Sequence, residues 1–222
     1  MGFDSDLDIA VKPNGISEHF SRTAKDLTKT LARRRQDPQS IVLGYIGRGY
    51  VHKNLSILPK IRQLLWDRFG IKSAVLTTLT SDEMRRNGLH VQSGIATTGP
   101  IPPQQSPEFF DRIDALVFPS VLECFSSTPL EAMAMGKPAF VSDLPFLHDC
   151  CGEHAMYFNP LDPNDAAQRI AEWLALGQTD REAWLRAAHT YVTALPSASD
   201  RAELYWSEIK KVTNFGCKSS RK

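Results

Sequence analysis

The chain has 222 residues, 42% hydrophobic and 23% charged, enough apolar material for one good-sized core. Its formal net charge of +1 gives no basic field for nucleic acid, and its longest apolar runs are strand-length, too short to span a membrane. Cys124, Cys150, Cys151 and Cys217 show no Cys-x-x-Cys spacing, so zinc is not expected and reduced thiols suit a cytoplasmic protein.

The amino terminus lacks the basic and apolar regions of a signal peptide. Asp4, Asp6 and Asp8 alternate ahead of any strand core and read as a solvated tail. Ile9 to Ile16 predicts a short strand ending in an Asn14-Gly15 turn, and Thr23 to Arg35 a basic helix.

Ile41 to Ile46 is the first strong strand, and Gly47-Arg48-Gly49 turns the chain. The turn is neither a Gly-x-Gly-x-x-Gly fingerprint nor a Walker loop. His52, Lys53 and Asn54 follow, with Asn54 as the expected cap of a helix to Phe69 whose Leu55, Leu58, Ile61, Leu64 and Leu65 share a face. Arg48 and Lys53 thus fall in a strand-to-helix loop beside a helix start. Arginine binds two phosphate oxygens in its plane and lysine adds a point charge, so the pair suits a diphosphate. Two solvated loop cations fit the same residues.

Lys72 to Leu79 predicts the next strand, Ser81-Asp82-Glu83 a polar helix start, and Val91 to Thr98 a further strand. The loop Gly99-Pro100-Ile101-Pro102-Pro103 reads as a rigid connection, and Ser106-Pro107-Glu108 caps a helix ending at Arg112. Ala115 to Phe118, stopped by Pro119, and Ala139 to Val141, after Pro138, read as strands buried on both faces. Between them lies a helix with Thr128 at the N-cap, Pro129 at the first position, Glu131 three residues after the cap, and Gly136 past the last turn.

Strand, loop, helix, strand is a βαβ unit, whose loops lie at the carboxyl ends of the strands, where open parallel sheets bind ligands. The loop from Pro119 to Ser127 feeds a helix start whose amides, at Ser126, Ser127 and Thr128, favour an anion. Glu123 and Glu131 flank it, seven residues between them. Thr128 to Glu131 is also a capping-box pattern, in which Glu131 would hold the Thr128 amide, and the residues alone leave both readings open. Met133 and Met135, with Ala132 and Ala134, read as close helix–sheet packing.

Downstream, Ser142 to Pro145 opens a short helix, Ala155 to Phe158 is the last strand, and Asn164 to Leu176, Arg181 to Leu195 and Ser199 to Val212 are helices. Trp173, Trp184 and Trp206 are expected in the core, and Cys217 to Lys222 as a frayed basic tail.

The run Glu123-Cys124-Phe125-Ser126-Ser127-Thr128-Pro129-Leu130-Glu131-Ala132-Met133-Ala134-Met135-Gly136-Lys137-Pro138 resembles the Glu-x7-Glu signature of retaining GT-B glycosyltransferases of family four (glycosyl transferases group 1). The likeness covers roughly residues 9–176. It implies an α/β fold: a Rossmann-like doubly wound parallel sheet with helices on both faces, one half of a GT-B fold. The chain is then a single nucleotide-sugar-binding domain, 1–222, with a hinge-proximal turn and lead-in helix at 1–40, a core at 41–176, and carboxyl-terminal helices and tail at 177–222.

The resemblance further implies transfer of a sugar from a UDP- or GDP-sugar to an acceptor, with retention of configuration, in glycan or cell-surface polysaccharide synthesis, with no cofactor and no metal. Arg48, Lys53 and Glu123 would be catalytic, the cations holding the diphosphate and Glu123 the donor sugar. Gly47, Gly99, Ile101, Ser126, Ser127, Thr128 and Glu131 would bind the donor, Glu131 through the ribose hydroxyls and the Gly99–Ile101 loop through the base. An amino-terminal half, in cis or in trans, would carry the acceptor site and leave room for peripheral membrane association through the full enzyme. Without it the chain is expected to be inactive. Cys124 and Ser126 stand where many members have glycine, and a side chain there demands ordinary φ angles. The alternatives are a non-catalytic nucleotide-sugar binding module and half of a nucleotide-sugar epimerase.

Overall fold

The computed structural model describes residues 15–17, 20, 39–91 and 94–218. The expected strand from Ile9, the basic helix from Thr23 and the Asp4, Asp6 and Asp8 acids lie outside the described residues.

Six strands form one sheet: β1 (Ser40–Tyr45), β2 (Lys72–Thr77), β3 (Ile95–Thr97), β4 (Ala115–Phe118), β5 (Ala139–Ser142) and β6 (Met156–Phe158). All pairs are parallel, in the order β3-β2-β1-β4-β5-β6. The strand order therefore reverses between β1 and β4, the place where open parallel sheets form a crevice at the carboxyl ends of their strands.

Strands β1, β4 and β5 are what their apolar runs predict. Every residue of β4 and β5 is buried, as a sheet covered on both faces requires. The β1–β4 pairing is brief, Leu43 with Ala115 and Gly44 with Leu116, and a side chain extends it: Asp114 accepts from the Val42 amide at 2.7 Å through Oδ2 while its own amide donates to the Val42 carbonyl at 2.8 Å.

The helices are α1 (Leu58–Phe69), α2 (Ser81–Arg86), α3 (Ser106–Asp111), α4 (Ser127–Ala134), α5 (Pro145–Cys151), α6 (Pro163–Ala175), α7 (Gln178–Thr193) and α8 (Ala198–Lys218). Helices α1 and α6 pack together, as do α4 and α7, with α4 resting on β4 and β5. The close packing expected of the alanine and methionine stretch holds, since Ala132, Met133, Ala134 and Met135 are all buried.

Four expectations need correction. Strand β3 begins at Ile95 rather than Val91, because Gly94 (φ +71) turns back on the Val91 carbonyl and breaks the extended run. Trp206 is no core residue: it is 57% exposed, with the Lys210 ammonium over its ring, whereas Trp173 is buried and meets Trp184 edge to face at 5.3 Å. Helix α8 continues to Lys218, past both the predicted end at Val212 and the tail expected from Cys217. Asn54 does not cap the helix to Phe69, which begins at Leu58. It sits instead at φ 53 between two 3-10 turns, its side-chain amide donating to the Pro160 carbonyl at 2.7 Å.

Candidate functional site

Two loops border the crevice between β1 and β4. The first carries Gly47, Arg48, Gly49 and Lys53, and the second carries Ser120, Glu123 and the start of α4. The loops are tied together. The Val121 amide donates to the His52 carbonyl at 2.8 Å, and the Lys53 ammonium is ion-paired with the Glu123 carboxylate across the gap. Both side chains are largely shielded, 15% and 14% exposed. Glu123 also lies 2.7 Å from the Ser120 hydroxyl, and the Lys53 ammonium stands 5.2 Å above the Phe118 ring.

Arg48 leaves the same loop toward the other side. Its Nε donates to the Glu83 carboxylate at 2.7 Å, while the side chain as a whole stays 59% exposed. The turn beneath it is pinned at each residue. Gly47, at φ +140, donates its amide to the Thr78 hydroxyl at 3.0 Å, the Arg48 carbonyl accepts from the Tyr45 hydroxyl at 2.8 Å, and the Gly49 amide donates to Glu83 at 3.1 Å. The buried Tyr45 phenol is pushed up by burial first, then by the carboxylates of Glu123 and Glu83. The two cation–carboxylate pairs share the loop after β1, which supplies both cations.

Helix α4 starts two residues earlier than the capping pattern suggests. Its N-cap is Ser126, at φ −120, with no side-chain cap bond, so Thr128 is the second helical residue and its box with Glu131 does not form. Glu131 instead accepts from the Ser127 hydroxyl at 2.9 Å, one turn back. Burial raises its carboxyl above the ordinary range, and that hydrogen bond only partly offsets the rise. The amides of Ser127 and Thr128 lie in the first turn, where intrahelical acceptors are lacking. The Ser126 amide is engaged differently. It donates toward the Cys150 thiol, which burial pushes up and this bond draws partly back. The Ser126 hydroxyl is buried with no hydrogen-bond partner. Asn54 is the only described non-glycine residue with positive φ, so Cys124 and Ser126 both fit the loop at ordinary angles.

Gly99 and Ile101 are not brought into this cluster. They follow β3, the outer strand on that side, about 10 Å from β1 at the usual strand spacing. The Gly99 amide is already bonded to the Thr97 hydroxyl at 2.9 Å, and the Ile101 side chain packs against the core.

Sequence reasoning missed two residues, Glu83 and Ser120. Glu83 was legible only as part of a polar helix start; Thr80-x-x-Glu83 is a true capping box, with the Glu83 amide donating to the Thr80 hydroxyl at 3.2 Å and the Thr80 amide to Glu83 at 2.9 Å. Among the described residues no three histidine, cysteine or acidic side chains gather as a metal site would require, and no helix is long and apolar enough to cross a membrane.

The family model described as Glycosyl transferases group 1 matches residues 40–176. The O-antigen chain mannosyltransferase RfbU of Salmonella typhimurium is 25% identical over 156 residues, which cover 69% of this chain and 44% of that protein. Among solved structures, a UDP-forming α,α-trehalose-phosphate synthase from Burkholderia xenovorans superposes with a TM-score of 0.69 at 13% identity, over 90% of this chain and 52% of that one. Sucrose-phosphate synthase from Thermosynechococcus elongatus gives 0.68 at 19% identity, over 84% and 49%. At those identities the likeness is one of fold. The chain spans about half the length of these proteins or less.

Proposed function

The chain belongs to the glycosyl transferases group 1 family, and from that premise we propose that it is the carboxyl-terminal, donor-binding half of a retaining glycosyltransferase that builds polysaccharide from a nucleotide-sugar. The observation that carries this reading is the meeting of the β1 and β4 loops at the strand-order reversal, with Lys53 and Glu123 paired across it.

The reaction breaks the bond between the anomeric carbon and the diphosphate. Negative charge gathers on the leaving phosphate and oxocarbenium character on the sugar, so stabilising the leaving group is the main task. Arg48, Lys53 and the Ser127 and Thr128 amides take that charge in this scheme, which needs no metal. Glu123, released when Lys53 turns to phosphate, accepts from donor-sugar hydroxyls. Glu131 accepts from the ribose, and the orphaned Ser126 hydroxyl gives the bound donor one more partner. Gly47 holds the turn under the phosphates, and the Gly99–Ile101 backbone meets the base. The acceptor enters from an amino-terminal half, in cis or in trans, consistent with a chain that spans about half of its relatives. The full enzyme works in the cytoplasm or peripherally at a membrane.

Calorimetry with UDP-glucose and GDP-mannose tests the reading, the second chosen because RfbU is named a mannosyltransferase. Binding of one donor without turnover, weakened at least tenfold by Lys53→Ala and by Glu131→Gln, supports it. A chain that binds neither nucleotide, or whose binding ignores both substitutions, overturns it. Turnover on adding an amino-terminal half separates an enzyme from a non-catalytic binding module.

A further inference from the structure

Arg48 and Lys53 are both paired with carboxylates, but in different ways. Glu123 lies at the open rim, held by Lys53 and the Ser120 hydroxyl. Glu83 is 2% exposed and collects donors from two loops: Arg48 Nε at 2.7 Å, the Gly49 amide at 3.1 Å, the Thr80 amide at 2.9 Å and the Thr80 hydroxyl at 2.9 Å. The chain is packed hard around it. A side chain on Gly49 would bring a Cβ within 2.8 Å of the Glu83 Cβ and 2.9 Å of the Asn87 amide nitrogen, and Asn87 itself donates to the Gly49 carbonyl at 3.0 Å.

Resting on the donor-binding reading above, we propose that Glu83 is a positioning residue for the donor diphosphate: it fixes Arg48 by Nε and leaves the terminal guanidinium nitrogens as a preset fork for phosphate oxygens. A guanidinium has five N–H donors in a rigid plane. Occupying Nε leaves the two terminal nitrogens to bind phosphate oxygens without breaking the Glu83 contact. Arg48 is 59% exposed, and such a side chain otherwise loses rotamer freedom on binding; the buried carboxylate takes that loss during folding. Glu83 also stays charged at any working pH. Burial alone would raise its carboxyl, but the bonds from the Thr80 amide, Arg48, the Gly49 amide and the Thr80 hydroxyl outweigh this and hold it at about 2.

The test is a double-mutant cycle on the full chain, using Arg48→Ala, Glu83→Gln and the pair, read by calorimetry with UDP, GDP and the corresponding phosphate-free nucleosides. Glu83→Gln should weaken diphosphate binding about tenfold, the size of one lost charge-assisted contact. It should leave nucleoside binding unchanged, have no further effect once Arg48 is alanine, and be rescued in part by Glu83→Asp. Equal losses with and without Arg48, or loss of nucleoside binding as well, would overturn the proposal. Because Glu83 also closes the α2 capping box, Glu83→Gln could unfold the loop. Arg48→Lys then decides: it keeps the charge but cannot both hold Glu83 and present a fork, so it should bind diphosphate several-fold more weakly than the unsubstituted chain, and wild-type affinity would overturn the proposal. If the unsubstituted chain binds neither UDP nor GDP, the donor-binding reading itself fails; if it binds and only Lys53→Ala matters, only the role of Glu83 does.

Discussion

Replacing Lys53 by methionine keeps most of its apolar stem over Phe118 and removes the charge, which isolates what the ion pair with Glu123 contributes. Exposed pairs contribute about 0–1 kcal/mol, and removing one member of a buried pair costs about 3–5 kcal/mol because the other is left uncompensated. Lys53 and Glu123 are 15% and 14% exposed, and Glu123 keeps the Ser120 hydroxyl at 2.7 Å, which places this pair between those limits. The expected loss is about 2 kcal/mol, or roughly 0.7–1 M in urea midpoint at an m value of about 2–3 kcal/mol/M. Adding Glu123→Gln removes the orphaned charge and should restore most of that stability without restoring nucleotide binding, since the cation is still absent. Urea unfolding followed by circular dichroism, with calorimetry on the same samples, reads both. A double variant no more stable than Lys53→Met would refute the argument that an uncompensated Glu123 is what destabilises the single one.

Burial raises the Glu131 carboxyl and the Ser127 hydroxyl bond only partly offsets it, so this group gives up stability as pH rises through its folded value. Glu131→Gln should therefore stabilise the ligand-free chain at pH 7, with the gain gone below the unfolded value near 4.5, while it weakens donor binding; a variant less stable at pH 7 would contradict this. Glu83 has the opposite sign: held at about 2, it contributes stability that is complete above pH 4.5 and disappears as pH falls toward 2, so the gap in unfolding free energy between wild type and Glu83→Gln should narrow across that window. Gly44→Ala would place a Cβ 2.3 Å from the Ile113 Cδ1 under the central strand, and overpacking of that kind should cost about 1–3 kcal/mol in denaturant titrations. Iodoacetamide labelling read by mass spectrometry should mark exposed Cys124 well before Cys151, whose buried thiol is pushed up to about 12; equal rates would contradict the placement.

What was legible in the sequence follows from what is local. Ala115 to Phe118 and Ala139 to Val141 announced themselves because strands covered on both faces must be apolar throughout. The residues of the crevice could be named because Arg48, Lys53, Glu123 and the α4 start all sit in loops that directly follow such strands. How they are wired was hidden, because the partners are far apart in the chain: Arg48 meets Glu83 in the first turn of α2, and Lys53 meets Glu123 across the order reversal. Local signals also failed where tertiary contacts displaced them. Thr128 matched a capping pattern, yet the N-cap is Ser126, whose amide turns to Cys150 and whose hydroxyl is buried. Asn54 looked like a cap, but the Pro160 carbonyl holds its side chain in a left-handed turn. Trp206 follows the rule that large aromatics are buried only until one sees that its helix leaves Tyr205, Trp206 and Ile209 exposed together.

The most direct measurement of the central claim is a crystal structure of this chain soaked with GDP or UDP at neutral pH. The account predicts the diphosphate at the carboxyl ends of β1 and β4, with oxygens within hydrogen-bonding distance of the Arg48 terminal nitrogens, the Lys53 ammonium and the Ser127 amide, and with Lys53 drawn away from Glu123. A nucleotide bound elsewhere, or one bound here with the Lys53–Glu123 pair intact and Arg48 turned to solvent, would contradict it.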